Sequence, residues 1–382
     1  CNHQDHAGVG VAVPDSIHEF RIRRLKAMGC NAYRCAHHPP APALLAACDR
    51  LGMLVIDENR TFGSSPGALA NLASMVRRDR NHPSVIAWSI CNEEAIQGTP
   101  VAARIGRAMQ AHVRSLDPTR PVTAAVSGGL ANDDCLADAV EVVGINYLLH
   151  QHDDFRRKHP RTPVYSAETH CVLSTRGVYE TDASTYRFGC YDEDLTPWGA
   201  SARETWRHLR DRPHLAGLFV WTGFDYRGEP TPHGWPCTGA QFGQMDQCGF
   251  EKDAFWLHKA WFDAAGPAFV HVMPHWTWPG REGQPIRVRA IANCDEAELL
   301  LNDRSLGRKR VDPIEMAEWL VPYEPGVPAV VAYRKGEPAA EARVETTGPA
   351  VALGLEVHPT FTEMATTIPA DGVCDPGHGF CG

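Results

Sequence analysis

The 382-residue sequence lacks the features that mark several common protein classes. Its thirteen cysteines include no CxxC pair, so neither a zinc ribbon nor a dithiol redox motif is predicted. No apolar run is long enough to span a membrane. A net charge of −9 lacks the positive excess that favours nucleic acid or anionic membranes. We therefore expect no nucleic-acid partner and no membrane association.

The first residues also lack an initiator methionine and a signal peptide, because the sequence opens Cys1-Asn2-His3. The compartment is therefore left open between cytoplasm and periplasm, and homo-oligomerisation is left open as well. This beginning leads us to expect that the chain is part of a longer protein.

Residues 15–263 instead show a regular alternation of helical and apolar strand-like segments. Alternation of this kind predicts a parallel sheet. The predicted helices cover residues 15–29, 41–51, 69–80, 100–116, 200–212 and 255–263, and the predicted strands cover residues 31–38, 53–56, 85–90, 122–126, 140–145, 164–167 and 215–221. Seven such units in about 260 residues approach the size of an eight-stranded TIM barrel.

An α/β TIM (β/α)8 barrel with its first strand missing is the fold that we predict for residues 1–272. The missing strand would lie just upstream of Asn2 and His3. A doubly wound open sheet is the rival fold, but no Gly-rich phosphate loop follows the first strand. Polar groups also end most of the strands, whereas an open sheet concentrates its site at one switch point. Without the first strand, residues 31–36 and 215–221 would form unpaired apolar edges that invite aggregation.

The sequence after residue 272 has a different texture, with prolines followed by short alternating runs and turn signals. The runs cover residues 286–292, 297–301, 319–322, 329–333 and 342–345. This pattern is typical of a small β-sandwich, which we place at residues 273–348. Residues 349–382 are too few to bury a core of their own and are interpreted as the start of a further β-sandwich domain.

Two carboxylates follow predicted barrel strands, at the face where TIM-barrel active sites lie. Glu93 follows the apolar run Val85–Ile90, and Glu168 ends the strand that begins at Val164. A carboxyl pair is what glycoside cleavage needs, one to protonate the leaving oxygen and one to face the anomeric carbon. A solvated loop would explain Glu93 equally well if it stood alone.

Other strand ends carry groups that suit a sugar. The candidate residues for hydroxyl contacts or ring stacking are Arg34, His37, Asn92, Tyr147, Trp198, Trp221 and Trp235. Each candidate taken singly has a structural explanation without a functional role; for example, a tryptophan after an apolar strand is more often part of the core. Their shared position at strand ends favours a site.

The sequence resembles glycoside hydrolase family 2, the β-galactosidase, β-glucuronidase and β-mannosidase family. The matching stretches are Asn2-His-Gln-Asp5, Asn31-Ala-Tyr-Arg-Cys-Ala-His37, Leu54-Val-Ile-Asp-Glu58, Arg78-Asp-Arg-Asn-His-Pro-Ser84, Trp88-Ser-Ile-Cys-Asn-Glu93, Asp117-Pro-Thr-Arg-Pro121 and Phe219-Val-Trp-Thr-Gly-Phe-Asp225. The resemblance implies retaining hydrolysis with Glu93 as acid/base and Glu168 as nucleophile. It places Arg34 beside the nucleophile, and it makes His37, Asn92, Tyr147 and Trp221 substrate-contacting positions.

The resemblance also implies an immunoglobulin-like domain after the barrel, carried by Pro274-His-Trp-Thr-Trp-Pro-Gly280 and Asn293-Cys-Asp-Glu-Ala-Glu-Leu299. This points to the β-galactosidase-like branch, without its N-terminal domains. The magnesium ligands of well-known members have no counterpart, and the Asn-x-Lys motif of β-glucuronidases is absent. We therefore expect no metal and no other cofactor.

The predicted function is an exo-acting β-glycosidase, most suited to β-galactosides, with a carbohydrate as its partner. Two alternatives stay open. One is a β-glucuronidase or β-mannosidase of the same family, and the other is a catalytically silent carbohydrate-binding protein.

Overall fold

A computed structural model describes residues 6, 9–312, 314–352 and 354. Its largest sheet has seven strands in the same order as the chain, and every neighbouring pair is parallel. The strands are β1 (Ala32–Arg34), β2 (Leu54–Glu58), β3 (Val85–Asn92), β4 (Val122–Val126), β5 (Val142–Asn146), β6 (Val164–Glu168) and β7 (Leu215–Leu218). The sequential parallel order is that of a TIM barrel, so the predicted fold class is confirmed. β1 and β7 are the edge strands of the described sheet, and Asn2 and His3 lie outside the described residues.

Helices connect most of these strands. They are α1 (Asp15–Ala27), α2 (Pro42–Leu51), α3 (Pro66–Asp79), α4 (Pro100–Leu116), α5 (His152–Lys158), α6 (Ala202–Arg210) and α7 (Asp253–Phe262). Ser65 and Thr99 cap the starts of α3 and α4, because each side-chain oxygen accepts a backbone N–H of the first turn. Gly52 ends α2 with φ 68°, a conformation that favours glycine.

Several predicted boundaries were wrong. The strand predicted for residues 31–38 ends at Arg34, and the one predicted for residues 215–221 ends at Leu218. In both cases one more backbone hydrogen bond follows the strand, from Cys35 N–H to Ile56 and from Phe219 N–H to Ser166. β2 extends to Glu58, two residues beyond the prediction. α1 is preceded by Pro14, and no side chain caps it.

α5 was not predicted from the sequence. Its seven residues contain three basic and two acidic side chains, and only His152 and Phe155 are buried. So short a polar segment has no apolar stripe that would indicate a helix.

The barrel core is formed by aliphatic and sulfur-containing side chains from the strands and inner helix faces, with Trp88 among the largest fully buried residues. In the described part of the chain, no helix has both the length and the apolarity needed to cross a membrane.

A short hairpin, β8 (Tyr226–Arg227) with β9 (Gly239–Ala240), follows the barrel sheet. Two antiparallel sheets follow. One has the order β10 (Val270–Met273), β11 (Pro285–Ala292), β14 (Ala317–Pro322), and the other has the order β13 (Arg304–Arg310), β12 (Glu296–Leu301), β15 (Pro328–Arg334), β16 (Glu337–Arg343). Their facing side chains form a separate core around Trp276 and Trp319, which confirms the predicted sandwich.

The strand predicted for residues 342–345 was misplaced, because β16 spans Glu337–Arg343. β10 and β13 were not predicted. β13 reads Arg-Ser-Leu-Gly-Arg-Lys-Arg and has no apolar alternation, because it is an exposed edge strand. Charged residues on an edge strand hinder pairing with other chains. Most of the predicted third segment, residues 349–382, lies outside the described residues.

Candidate active site

The ends of β1, β3, β5 and β6 bring a set of polar side chains together at the barrel mouth. Arg34 lies at the centre of this set and is fully buried. Its Nη1 donates to Oε1 of Glu168 at 2.7 Å. Its Nη2 donates to Oδ1 of Asn92 at 2.8 Å. The guanidinium therefore connects Glu168 with Asn92, the residue that precedes Glu93.

Glu168 accepts hydrogen bonds on both carboxylate oxygens. Besides Arg34 at Oε1, the Tyr147 hydroxyl donates to Oε2 at 2.6 Å. Burial, and then the charge of Glu168, raise the pKa of Tyr147 well above its ordinary value. Tyr147 consequently stays a protonated donor at neutral pH. With both oxygens held, the carboxylate of Glu168 is fixed in orientation next to a permanent cation.

Glu93 stands in a different setting. Its Oε1 accepts a hydrogen bond from Nδ2 of Asn146 at 2.8 Å, and the same nitrogen lies 3.0 Å from Oδ1 of Asn92. Desolvation by the surrounding protein, and then the negative charge of Glu168, raise the pKa of Glu93, although the residue is exposed to solvent. A raised pKa favours the protonated form that a general acid needs.

The backbone at the mouth is held in uncommon conformations. Glu93 has φ 49° and Tyr147 has φ 57°, the left-handed region that non-glycine residues rarely adopt. Each residue directly follows a strand, since β3 ends at Asn92 and β5 ends at Asn146. Such conformations cluster at functional sites because the surrounding structure must hold them.

His37 and Trp221 complete the network. Their rings stack with centroids 5.1 Å apart and an interplanar angle of 17°. Nε2 of His37 lies 3.8 Å from Oε1 of Glu168, and its side chain is 21% exposed. Trp221 is buried, and its Nε1 donates to the Tyr226 hydroxyl at 3.2 Å. The structure thus brings all seven predicted site residues into one connected cluster.

Two further tryptophans were predicted to stack on a sugar. Trp235 is 89% exposed and Trp198 is 40% exposed, both on loops after strands of the barrel. Stacking on a sugar stays a prediction for both residues.

Three residues of the cluster were missed in the sequence. Glu58 ends β2 and is fully buried against Arg34, with Nε donating to its Oε2 at 2.9 Å. Ser89 donates to the same oxygen at 2.8 Å. Asn146 ends β5. Glu58 and Asn146 carry the same signal as Glu93, a polar side chain that ends an apolar strand, so this signal could have found them.

The described residues contain no group of three or more His, Cys, Asp or Glu side chains arranged to hold a metal ion. The cluster consists of the guanidinium of Arg34, the carboxylates of Glu58, Glu93 and Glu168, and the polar side chains that bond them.

Comparisons with known proteins identify the family of this chain. The family model "Glycosyl hydrolases family 2, TIM barrel domain" matches residues 1–67 and 64–159. The chain belongs to glycosyl hydrolase family 2. A second model, "Domain of unknown function (DUF4982)", matches residues 283–340 of the sandwich.

Curated proteins from Bacteroides and Formosa are among the similar chains. "Beta-galactosidase BoGH2A" of Bacteroides ovatus is 33% identical, over 91% of this chain and 48% of its own length. A "Putative beta-glucuronidase" of Formosa agariphila is 30% identical, over 88% of this chain and 36% of its own. The chain thus spans half or less of these curated relatives.

A solved "beta-glycosidase from Bacteroides vulgatus" superposes with a TM-score of 0.81 at 31% identity. It covers 91% of this chain and 49% of its own. The agreement extends through the barrel and the sandwich, since the shared region is nearly the whole chain.

Proposed function

We propose that this chain carries the catalytic centre of a retaining exo-β-glycosidase that acts on β-galactosides. The observation that carries the proposal is the contrast between two neighbouring carboxylates. Glu168 is paired with the cation of Arg34 at 2.7 Å, whereas the pKa of Glu93 is raised. Carboxylates in opposed environments are what acid and nucleophile roles require.

In the proposed mechanism, Glu168 is the nucleophile that attacks the anomeric carbon. Arg34 and Tyr147 hold its two oxygens, so that the carboxylate reaches the substrate without searching for an orientation. The Tyr147 bond weakens as one oxygen loses its charge to the new glycosyl bond. Water then releases the sugar in a second displacement, which restores the original configuration.

Glu93 is the proposed acid and base. Its proton passes to the glycosidic oxygen as the leaving group departs, and the carboxylate then takes a proton from the attacking water. Asn146 holds Oε1 at 2.8 Å. The retaining mechanism predicts carboxyl groups about 5–5.5 Å apart. A separation above about 8 Å in a crystal structure would instead indicate an inverting enzyme or a wrong pair.

A terminal sugar as substrate is supported by the burial of the proposed nucleophile, since the Glu168 side chain is 4% exposed. A neutral sugar is supported by the lack of an Asn-x-Lys motif in the sequence. A β-glucuronide is the second candidate, because the relatives include proteins named as β-glucuronidases.

The test is the activity of the intact protein on 4-nitrophenyl β-glycosides. We expect the highest kcat/KM for the β-galactoside, with β-glucuronide and β-mannoside well below it. A preference for the glucuronide would support the second candidate. Sugar binding without turnover of any substrate would support a carbohydrate-binding protein and contradict the catalytic proposal.

A further inference from the structure

The cluster contains a third carboxylate, Glu58, to which the proposed mechanism assigns no step. It ends β2 and is fully buried. Its Oε1 lies 2.9 Å from Nη2 of Arg34 and 3.0 Å from Nδ1 of His37. Its Oε2 accepts from Nε of Arg34 and from the Ser89 hydroxyl, at 2.9 and 2.8 Å. Glu58 therefore contacts both Arg34, which binds Glu168, and His37, which lies beside Glu168.

The hydrogens available to this cluster decide the protonation of His37. Nη2 of Arg34 carries two hydrogens, and acceptors at 2.9 Å on Glu58 and 2.8 Å on Asn92 use both. The contact from Nη2 to Nδ1 of His37 is longer, at 3.3 Å. The shorter contact of Nδ1 is to Oε1 of Glu58, at 3.0 Å. A hydrogen bond at this distance needs a hydrogen on either Nδ1 or Oε1.

The ionised form of Glu58 has no hydrogen to give. Burial alone would raise its pKa, but the charge of Arg34 and the hydrogen bonds from His37 and Ser89 lower the pKa below its ordinary value. The hydrogen in the 3.0 Å contact therefore belongs to Nδ1 of His37. In a neutral imidazole, Nε2 is then the acceptor.

We propose that Glu58 is a positioning residue that fixes His37 as the Nδ1–H tautomer, so that Nε2 accepts a hydrogen bond from a sugar hydroxyl. The hydroxyl part rests on the proposed function, whereas the tautomer does not. Nε2 lies 3.8 Å from Oε1 of Glu168, which leaves two acceptors facing one region. A hydroxyl donor suits that region, and a fluorine or methoxy group does not.

Trp221 restricts the His37 ring in a second way. Its stacking at 5.1 Å and 17° keeps the imidazole plane fixed. A half-turn flip of the ring within that plane would put Cδ2 in place of Nδ1 and lose the Glu58 contact. Glu58 sets which nitrogen carries the proton, and Trp221 sets where the ring lies.

The direct test is nuclear magnetic resonance of the intact protein with ¹⁵N-labelled histidine, using His37→Gln to assign the His37 signals. We expect Nδ1 to be protonated and Nε2 to show the shift of an unprotonated nitrogen. A protonated Nε2 with a bare Nδ1 would overturn the inference. This measurement needs no variant of Glu58, so it does not depend on whether that variant folds.

Glu58→Gln removes the charge that selects the tautomer, and its amide can donate to Nδ1. We expect the Nδ1–H population of His37 to fall and kcat/KM to drop about 100-fold. Asp117→Asn is the matched control, because it neutralises another buried carboxylate that an arginine contacts, at the opposite end of the barrel. An unchanged His37 spectrum in folded Glu58→Gln would contradict the positioning role.

Substrate analogues test the hydroxyl. Among monodeoxy and monofluoro aryl glycosides, we expect one position at which replacement lowers kcat/KM in the wild type but has little further effect in Glu58→Gln. Equal losses in both proteins at every position would contradict the acceptor role. If the protein hydrolyses no glycoside while His37 is Nδ1–H, the positioning role stands and the proposed function fails.

Discussion

Two carboxylates at opposite ends of the barrel are held in opposite ways. Asp117 lies at the end where α4 leads into β4. It accepts hydrogen bonds from Nε1 of Trp88 at 3.0 Å, from the backbone N–H of Thr119 at 2.9 Å and from Nη1 of Arg120 at 2.7 Å. Burial alone would raise its pKa, but hydrogen bonds from Thr119, Arg120 and Trp88 lower the pKa well below the ordinary value.

Glu93 lies at the other end of the barrel, beyond β3. One hydrogen bond reaches it from Asn146, a neutral donor. Desolvation and the charge of Glu168 outweigh that bond, and the pKa is raised. The same functional group is therefore stabilised as an anion at one end and destabilised as an anion at the other.

The difference shows that the number and charge of donors, and not burial alone, decide how a carboxylate titrates. It also agrees with a general division in TIM barrels, where the end that receives the strand N-termini serves stability and the other end serves catalysis.

The largest expected effect is at Glu168. Glu168→Ala removes the proposed nucleophile, and we expect kcat/KM to fall about 10⁴-fold or more. Added azide should restore part of the turnover and give the inverted α-glycosyl azide, because a small anion can occupy the vacated position. Chromatography of the products measures both effects. A β-azide as the only product would contradict the assignment.

Glu93→Ala is expected to act on the leaving group instead. Substrates with poor leaving groups should lose about 10²–10⁴-fold, whereas activated aryl glycosides should be largely spared and azide should give the β-product. Because the acid form is required, wild-type kcat/KM should fall as pH rises through the raised pKa of Glu93. That alkaline limb should disappear in the variant, and a limb of unchanged position would assign the titration to another group.

Much of the fold and site could be predicted from the sequence, since long apolar runs that end in polar residues fix both the strands and the face on which they meet. Glu93 and Glu168 were found this way. Asn146 and Glu58 end apolar strands as well, so the same signal marks their positions, but their hydrogen bonds to residues of other strands cannot be read from the sequence. The end of β1 at Arg34 could not be predicted for the same reason, since the length of a strand depends on its pairing with the neighbouring strand.

Stability should respond at the other end of the barrel. Asp117→Asn leaves one oxygen unable to accept from its donors, at a cost of about 1–3 kcal/mol, so we expect Tm to fall by a few degrees at pH 7. Activity per folded molecule should stay unchanged. Asp133→Asn is the matched control, since the Asp133 side chain is 98% exposed and its loss should leave Tm unaltered.

The pH dependence of that loss follows from linkage. Asp117 has a folded pKa below its unfolded value of about 3.9, so its stabilisation is present above that pH and is lost as pH falls through the folded pKa. The Tm difference between wild type and Asp117→Asn should therefore narrow below about pH 4. A constant difference from pH 3 to pH 8 would mean that the charge of Asp117 does not contribute.

The smallest effect is expected for the stability of Glu93→Gln, and its sign is opposite. The folded pKa of Glu93 is raised, so the charged carboxylate destabilises the folded state at pH values above its unfolded pKa of about 4.3, fully so above the folded pKa. Glutamine carries no charge and can still accept from Asn146. Since Glu93 is exposed to solvent, screening limits the gain, and we expect Tm to rise by roughly 1–2 °C at pH 8 and not at all below pH 4. Thermal unfolding of both proteins across this range measures the effect.

The Tm of Asp117→Asn and the Tm of Glu93→Gln would then differ from that of wild type in opposite directions, as expected when the acid is placed for catalysis at a cost to folding. A lower Tm for Glu93→Gln at pH 8 would show that the Asn146 contact stabilises the anion more than Glu168 destabilises it.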